Sequence, residues 1–244
     1  MRSGWMAGML AGAVLAGVVR GERLTATAGD GWLTVAPGTG GSIGLRITQG
    51  ARSVVERGRA RDLEVTQILL RGGVTPARGI HLWAEAGAAR AHLDGRLGAT
   101  GPAGGAGVTL RPFVLVLRGT DLSPRKEHLA LDLDLGLRAA ASNRQNARLY
   151  WREVRVAPAF AYRMDYGDEP GRRAYQPVET GLRFGPLWRR VDGRHGPASL
   201  RENGNFGAAA GVDLRWNSGW ATHIDAALLG GGEHEVALGL ARHF

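Results

Sequence analysis

Hydrophobic and polar residues alternate with a period of two along much of the chain. In segment 129–137 one face carries only leucines and the other carries small or acidic residues. The leucines are Leu129, Leu131, Leu133, Leu135 and Leu137. A helix would spread them around its whole circumference, whereas a strand places them on one side. The pattern therefore predicts a β-strand with two faces of different chemistry.

The same period recurs through the rest of the chain and predicts about ten strands, with eight to twelve left open. They fall near 42–49, 63–72, 79–91, 106–117, 128–140, 149–164, 177–190, 206–216, 220–229 and 234–244. The stretch 108–117 is apolar on both faces, so its orientation stays open. Segments 50–62, 92–105 and 191–205 are expected to be the longer loops at one end. An even strand number places both termini at the other end.

The residues opposite the apolar face favour a barrel over a sandwich. A soluble β-sandwich would carry long polar side chains there, facing water. This chain instead has glycine and alanine, interrupted by arginine and acidic residues. Examples are Ala157, Ala159, Ala161, Gly207, Ala209, Gly211, Ala237 and Gly239. Small residues suit the narrow interior of a closed sheet, so we expect an all-β fold, a single antiparallel up-and-down transmembrane β-barrel. A soluble periplasmic sandwich is the alternative.

The last strand ends the chain on an aromatic residue. Val236, Leu238, Leu240 and Phe244 share the apolar face of this expected barrel-closing strand. Together with 205–216 and 220–228, it resembles the last strands of Gram-negative outer-membrane barrels, most of all the translocator barrels of autotransporters. Arg242 departs from that pattern, because the C-terminal assembly signal usually carries a second aromatic there. The resemblance implies assembly by the barrel assembly machinery through this strand, in the outer membrane, with both termini periplasmic.

The N-terminus predicts a separate segment. A basic start, an apolar run over 6–19 and small residues at 26–28 are the parts of a secretory signal peptide. We therefore expect residues 1–28 to be a signal peptide and 29–244 to form the barrel domain. The charged stretch 20–23 fits this poorly, so a first strand or an incorrect start codon stays open. The apolar run is too short for a transmembrane helix.

Composition and charge narrow the partners. Cysteine is absent, which excludes disulfides and thiolate zinc sites. The formal net charge is +9, and Lys126 is the only lysine among 31 basic residues. The arginines are scattered and often lie near acidic residues, so nucleic acid is not expected as a partner. Outer-membrane lipid, and the phosphates of lipopolysaccharide in particular, are expected to contact arginines outside the barrel.

Charged residues on the small-residue face are predicted to line the lumen. They are Asp132, Asp134, Arg155, Arg163, Arg183, Asp213, Arg215 and Asp225. Two aspartates at i and i+2 are able to serve acid/base catalysis. They are equally able to pair with Arg155, Arg183 or Arg215, and we favour this ion network.

Chemical motifs are weak in this sequence. His223 and Asp225 share a face near one strand end, but no partner serine or paired-aspartate motif accompanies them. His234 and His243 lie on opposite faces of one strand, so no metal site is expected, and no cofactor is expected either. We therefore predict a non-enzymatic, porin-like or autotransporter-like barrel with a structural or narrow-pore role. An outer-membrane enzyme, a protease or a lipid-modifying enzyme, is the alternative.

Overall fold

The computed structural model describes residues 28–30, 33–35, 40–77, 79–118, 126–144, 147–166, 176–202 and 206–244. The expected signal peptide lies outside the described residues except for Ala28. Within these ranges the regular structure consists of β-strands and one 3-10 turn, Gly230–Gly232. None of the described helical residues forms a segment long and apolar enough to cross a membrane.

Fourteen strands follow one another along the described chain. They are β1 (Ala28–Asp30), β2 (Leu33–Val35), β3 (Gly41–Glu56), β4 (Arg59–Ala77), β5 (Ile80–Leu93), β6 (Arg96–Leu97), β7 (Gly101–Arg118), β8 (Lys126–Arg144), β9 (Ala147–Asp165), β10 (Glu179–His195), β11 (Ala198–Glu202), β12 (Phe206–Arg215), β13 (Trp220–Leu229) and β14 (His234–His243). Strands β1 and β2 pair only with each other, and the remaining twelve form one sheet. Two of the twelve, β6 and β11, are short, so ten long strands build the wall.

The sheet closes on itself as an antiparallel barrel. Each long strand pairs with its neighbours in chain order, and β14 pairs with β3 from His234↔Ala51 to His243↔Ser42. Backbone hydrogen bonds between Gly41 and Phe244, at 3.0 and 3.1 Å, extend this closing ladder to the last residue. A ten-stranded, up-and-down barrel confirms the predicted fold class.

The outer surface of the barrel is apolar around its whole circumference. Large aliphatic and aromatic side chains there are about half exposed or more, with Leu137 at 62%, Phe184 at 61% and Leu228 at 69%. Exposed apolar area on this scale is not tolerated in water, whereas a lipid bilayer solvates it. The barrel therefore spans a membrane, and we call this outer surface the apolar belt. It runs through the terminal half of the barrel, the half that contains Gly41 and Phe244.

Beyond the belt, the two faces of the strands exchange their chemistry. On β4, Ile68 and Leu70 point outward within the belt, whereas further along Leu63 and Val65 are buried and Glu64 is exposed. A bilayer needs strands of about 9–11 residues. Strands β12, β13 and β14 have 10 residues each, but β4, β8 and β9 have 19 each. The surplus residues form a head that projects beyond the belt, polar outside and apolar inside.

This exchange corrects two of the predicted loops. Segments 50–62 and 191–205 were expected to be irregular, but 50–56, 59–62, 191–195 and 198–202 are strands of the head. In these strands the apolar residues lie on the face opposite to that of the belt. A search for apolar residues on the belt face stops where that face turns polar, so it does not find them. Segment 92–105 was also expected to be a loop, but it contains the end of β5, the turn at 94–95, the short strand β6 and the first residues of β7.

Strand β11 completes the wall of the head. It pairs with β10 on one side and with β3 on the other, through Leu200↔Glu56 to Glu202↔Val54. In the terminal half the same gap between β10 and β3 is filled by β12, β13 and β14. The head is therefore narrower than the terminal half.

The ambiguous stretch 108–117 is resolved by a bulge. The pairing of β7 with β8 shifts between Leu110 and Phe113, at Pro112. Proline has no N–H for a ladder bond, so strands accommodate it at such irregularities. Arg111 points into the lumen in phase with Thr109, and the bulge turns Phe113 outward onto the belt.

A charge placed in the belt should cost more stability than the same charge above it. Ile224 is half exposed in the middle of β13. The Ile224→Arg variant should lose about 2–4 kcal/mol of its free energy of unfolding. The matched control Gln49→Arg lies at the border between belt and head on β3 and should lose about 0–1 kcal/mol. Urea titrations of barrels refolded into liposomes measure both. Equal losses for the two variants would contradict the position of the belt.

Candidate functional site: the barrel lumen

A tryptophan fills the lumen near its terminal end. The indole of Trp83 is buried, and the guanidinium of Arg71 stacks over it at 3.8 Å. Gly107 and Gly136 leave room for the ring: a Cβ at Gly107 would lie 2.3 Å from it, and one at Gly136 would lie 3.0 Å away. The two glycines on β7 and β8 therefore leave the space that this one side chain fills.

The aspartates of β8 are engaged by β7. Arg111 donates two hydrogen bonds to Asp132, from Nε at 2.6 Å and from Nη2 at 2.7 Å. The Thr109 hydroxyl donates to Asp134 at 3.0 Å. One guanidinium thus engages both oxygens of the Asp132 carboxylate. This geometry supports an ion network and not an acid/base pair.

His223 lies between two carboxylates. Its Nδ1 is 2.9 Å from Asp213 and its Nε2 is 2.6 Å from Asp225. Arg183 contacts both aspartates, with Nε 3.4 Å from Asp213 and Nη2 hydrogen-bonded to Asp225. Both ring nitrogens of this buried histidine are therefore occupied. A general base needs one nitrogen available to the substrate proton, and this arrangement offers neither.

Glu179 joins two further arginines at the same end. Its carboxylate lies 2.9 Å from Arg163 and 3.3 Å from Arg215. Glu179 begins β10, whereas its two partners come from the adjacent strands β9 and β12. The ion pairs thus tie the wall together across the strands.

Glu235 is the centre of a second network, in the middle of the barrel. Its carboxylate lies within 3.9 Å of five guanidinium groups. These are Arg52 at 3.2 Å, Arg189 at 3.3 Å, Arg138 at 3.7 Å, Arg155 at 3.8 Å and Arg46 at 3.9 Å. The surplus positive charge is balanced by Glu85, 2.7 Å from Arg138, and by Glu153, 2.8 Å from Arg52. Residues from six strands meet here.

Arg189 connects this network to the base of the head. It contacts Glu233 at 2.8 Å and hydrogen-bonds to Glu202, besides its contact with Glu235. One guanidinium does not neutralise three carboxylates. Burial raises the pKa of Glu202 to about 8, and a hydrogen bond with Glu233 acts in the same direction against Arg189. Glu202 ends β11, outside the membrane-spanning segments, and is protonated at neutral pH.

The head has an apolar interior. Thirteen buried residues pack together there and are contributed by β3, β4, β5, β7, β8, β9, β10 and β11. They are Val54, Leu63, Val65, Leu69, Ala89, Ala91, Leu93, Ala103, Ala140, Leu149, Trp151, Val191 and Leu200. Such a cluster excludes water and ions, because their desolvation is not compensated by any polar partner.

Little free space is left among the charges. A luminal cavity lined by Asp132, Asp134, Arg155, Arg183 and Asp225 has a volume of about 30 Å³. That is room for about two water molecules. Its other walls are mostly alanine and glycine. The cavity hydrates the charges and is too small for a solute.

The structure places the predicted residues as follows. Asp132, Arg163 and Asp213 are buried in the lumen, and Asp134, Arg155, Arg183, Arg215 and Asp225 line it partly exposed. Val236, Leu238 and Leu240 lie on the outer face of β14, and Phe244 ends the closing ladder. Arg242 is also outside, with its guanidinium 5.8 Å from the Trp220 ring.

Sequence reasoning missed the central network. Its residues are Arg46, Arg52, Glu85, Arg138, Glu153, Arg189, Glu202, Glu233 and Glu235. Most of them lie on the same face of their strand as nearby glycine or alanine residues. This shared face was the signal available in the sequence. Arg111, the partner of Asp132, was missed because its strand is apolar on both faces. Among the described residues, no group of histidine and acidic side chains is arranged to hold a metal ion.

The chain matches no protein-family model and no curated protein. Among solved structures it is similar to the translocator domain of autotransporter NalP from Neisseria meningitidis, with 11% identity, a TM-score of 0.38, and coverage of 98% of this chain and 95% of that one. An outer membrane channel from Pseudomonas putida F1 has 11% identity and a TM-score of 0.44, covering 88% and 98%. Outer membrane protease OmpT from Escherichia coli has 11% identity and a TM-score of 0.42, covering 90% and 100%. At these scores none of the three supports a functional conclusion.

The protonated Glu202 predicts a specific pH dependence. Its pKa in the folded barrel is above the value of about 4.3 in the unfolded chain, so the folded state binds the proton more tightly. Stability should therefore fall as the pH rises from about 4.3 to 8, by at most about 1.4 kcal/mol per pH unit, and level off above pH 8. Urea titrations between pH 5 and pH 9 measure this slope. Glu202→Gln, which stays neutral, should remove it, and an unchanged slope in that variant would refute the assignment.

Proposed function

We propose that this chain is a non-enzymatic and non-conducting barrel of an outer membrane. In this role it acts as a structural element that anchors its head at the membrane surface. Closed antiparallel barrels with an apolar belt and an even number of strands are the architecture of bacterial outer-membrane proteins. The observation that carries the non-conducting role is the apolar interior of the head, which lies on the axis of the barrel.

The filled lumen favours a structural role over a narrow pore. Three layers follow one another along the axis: Trp83 with its stacked arginine, the ion network around Glu235, and the apolar interior of the head. An ion would have to cross both a network of paired charges and an apolar layer. Each is a barrier, because bare charges are costly in both.

The geometry also disfavours the enzymatic alternative. His223 has a carboxylate on each ring nitrogen, and Asp132 is held by both arms of Arg111. These were the candidate acid/base groups, and both are already neutralised by protein partners. Their arrangement is that of packing within a narrow lumen.

The proposed orientation places both termini in the periplasm and the head outside the cell. Strands of outer-membrane barrels extend on the external side, whereas their periplasmic turns are short. The head is at the end opposite the termini and carries the strand extensions, and this supports the orientation. Turn length does not add to it, because the terminal end has short turns at 216–219 and around Gly79 but also the long connection 166–178 between β9 and β10.

The barrel should not conduct. Planar bilayers that contain the refolded protein are expected to show no steady current above background, and liposomes should not swell in arabinose. The control is a general porin, reconstituted by the same procedure. Folded insertion is verified by the heat-modifiable shift of the protein on gels. A reproducible open state of either ion selectivity would refute the sealed lumen.

We also propose that the C-terminal strand is the contact for the barrel assembly machinery. The Phe244 ring is 79% exposed and borders Gly41, while the backbone of Phe244 holds the closing ladder. An exposed ring contributes little to packing, so it is available for a partner.

Phe244→Ala should therefore reduce the amount of barrel in the outer membrane several-fold without lowering the stability of the refolded protein. Quantitative fractionation in cells and urea titration in vitro measure the two quantities. Phe206→Ala, which removes a similarly exposed ring from β12, is the control and should affect assembly less. Equal membrane levels for wild type and Phe244→Ala would contradict the proposal.

A further inference from the structure

Three arginines project from the outer wall of the barrel, on β9 and β10, where the belt meets the head. Arg152, Arg190 and Arg194 are exposed, and Tyr150 lies beside them, also exposed. The pairing of the two strands aligns Arg194 with Tyr150, Asp192 with Arg152 and Arg190 with Val154. All these side chains therefore point outward on adjoining rungs.

The charge of this cluster is only partly balanced. Arg190 donates hydrogen bonds to Asp192 at 2.9 and 3.5 Å. Within the described part of the chain, Arg152 and Arg194 have no ion-pair partner. They occupy diagonal positions on neighbouring strands, where Cβ atoms lie about 7–8 Å apart. Two long side chains at this spacing are able to contact one anion together.

An apolar groove lies directly below the arginines. Its floor is formed by Ala106, Leu137, Ala139 and Val154, and its volume is about 650 Å³. Gly104, Ala106 and Ala139 are small residues on the belt, so they form a depression beside Leu137. Arg152, Arg190 and Asp192 border the same groove. We call the four floor residues, the three arginines and Tyr150 the arginine groove.

We infer that the arginine groove binds a membrane lipid that carries phosphate on its headgroup. The arginines supply the positive charge and fork geometry that suit phosphate, and the groove accepts an acyl chain that runs down the belt. The height of the cluster supports this occupant. On other strands the belt also ends at this level, at Gln49, Thr66 and Arg90, where headgroups meet the wall.

The inference deepens the proposed function and depends on it for the assignment of the leaflet, because an external head places the groove in the outer leaflet. A protein partner would fit the groove less well. A protein docked here would have to balance the charges of the arginines at the rim. The floor of the groove lies within the hydrocarbon layer, where lipid fills it.

The test uses the whole barrel, refolded in a neutral detergent, with bis-phosphorylated lipid A as the probe. Native mass spectrometry counts the bound lipid over a titration. Wild type should bind the bis-phosphorylated form more tightly than monophosphoryl lipid A, and salt should weaken this preference. The double variant R152Q/R194Q should bind at least tenfold more weakly. The control R90Q/R201Q removes the same charge from exposed positions elsewhere and should bind like wild type.

Three results would overturn the assignment. The first is equal binding by wild type and R152Q/R194Q, and the second is an equal loss of binding in R90Q/R201Q. The third is a dimer that forms without lipid and is lost in R152Q/R194Q, because such a dimer would identify a protein interface. Failure here is distinguishable from failure of the proposed function. Binding is measured in detergent, where neither orientation nor conduction matters, and a current in planar bilayers would refute the sealed lumen while leaving the lipid site intact.

Discussion

The structure depends on one constraint: within lipid, every backbone N–H and C=O must find its partner in the protein. Water is absent there, so an open sheet edge would leave a row of unpaired groups at several kcal/mol each. The ladder between β14 and β3 removes that edge, and its last bonds join Gly41 to Phe244. Closure in turn fixes the radius of the lumen, and the radius decides which side chains fit inside.

The narrow lumen explains why glycine and alanine accompany buried charge. A Cβ at Gly211 would lie 2.2 Å from Asp225, and one at Gly105 would lie 2.8 Å from the Arg138 side chain. The long charged side chains extend into the space that the glycines leave free. Because buried ions are costly unless paired, the arginines and carboxylates meet across the axis, and Glu235 joins five of them. The network is therefore a consequence of closure as well as a stabiliser of it.

The fold was largely predictable and the site was only partly so. Period-two alternation identified ten strands and the faces of β8 and β9, because leucine on one side and alanine on the other is a local signal. It did not identify the ends of β3 or β10, where the alternation reverses, nor β11. Individual ion pairs were not predictable either. The orientation of Arg111 was ambiguous because β7 is apolar on both faces, and the contacts of Glu235 join strands far apart in sequence.

The reversal of alternation carries more information than the alternation itself. On β3 it follows Ile47, on β4 it precedes Ile68, and on β10 it follows Trp188. Positions so distant in sequence reverse at one height only if a common boundary acts on all of them, and the surface of a bilayer is such a boundary. On one side of it the wall faces lipid and encloses charge, and on the other it faces water and encloses a conventional apolar core. The short strands β12–β14 end at that same height, and β11 takes their place in the wall of the head.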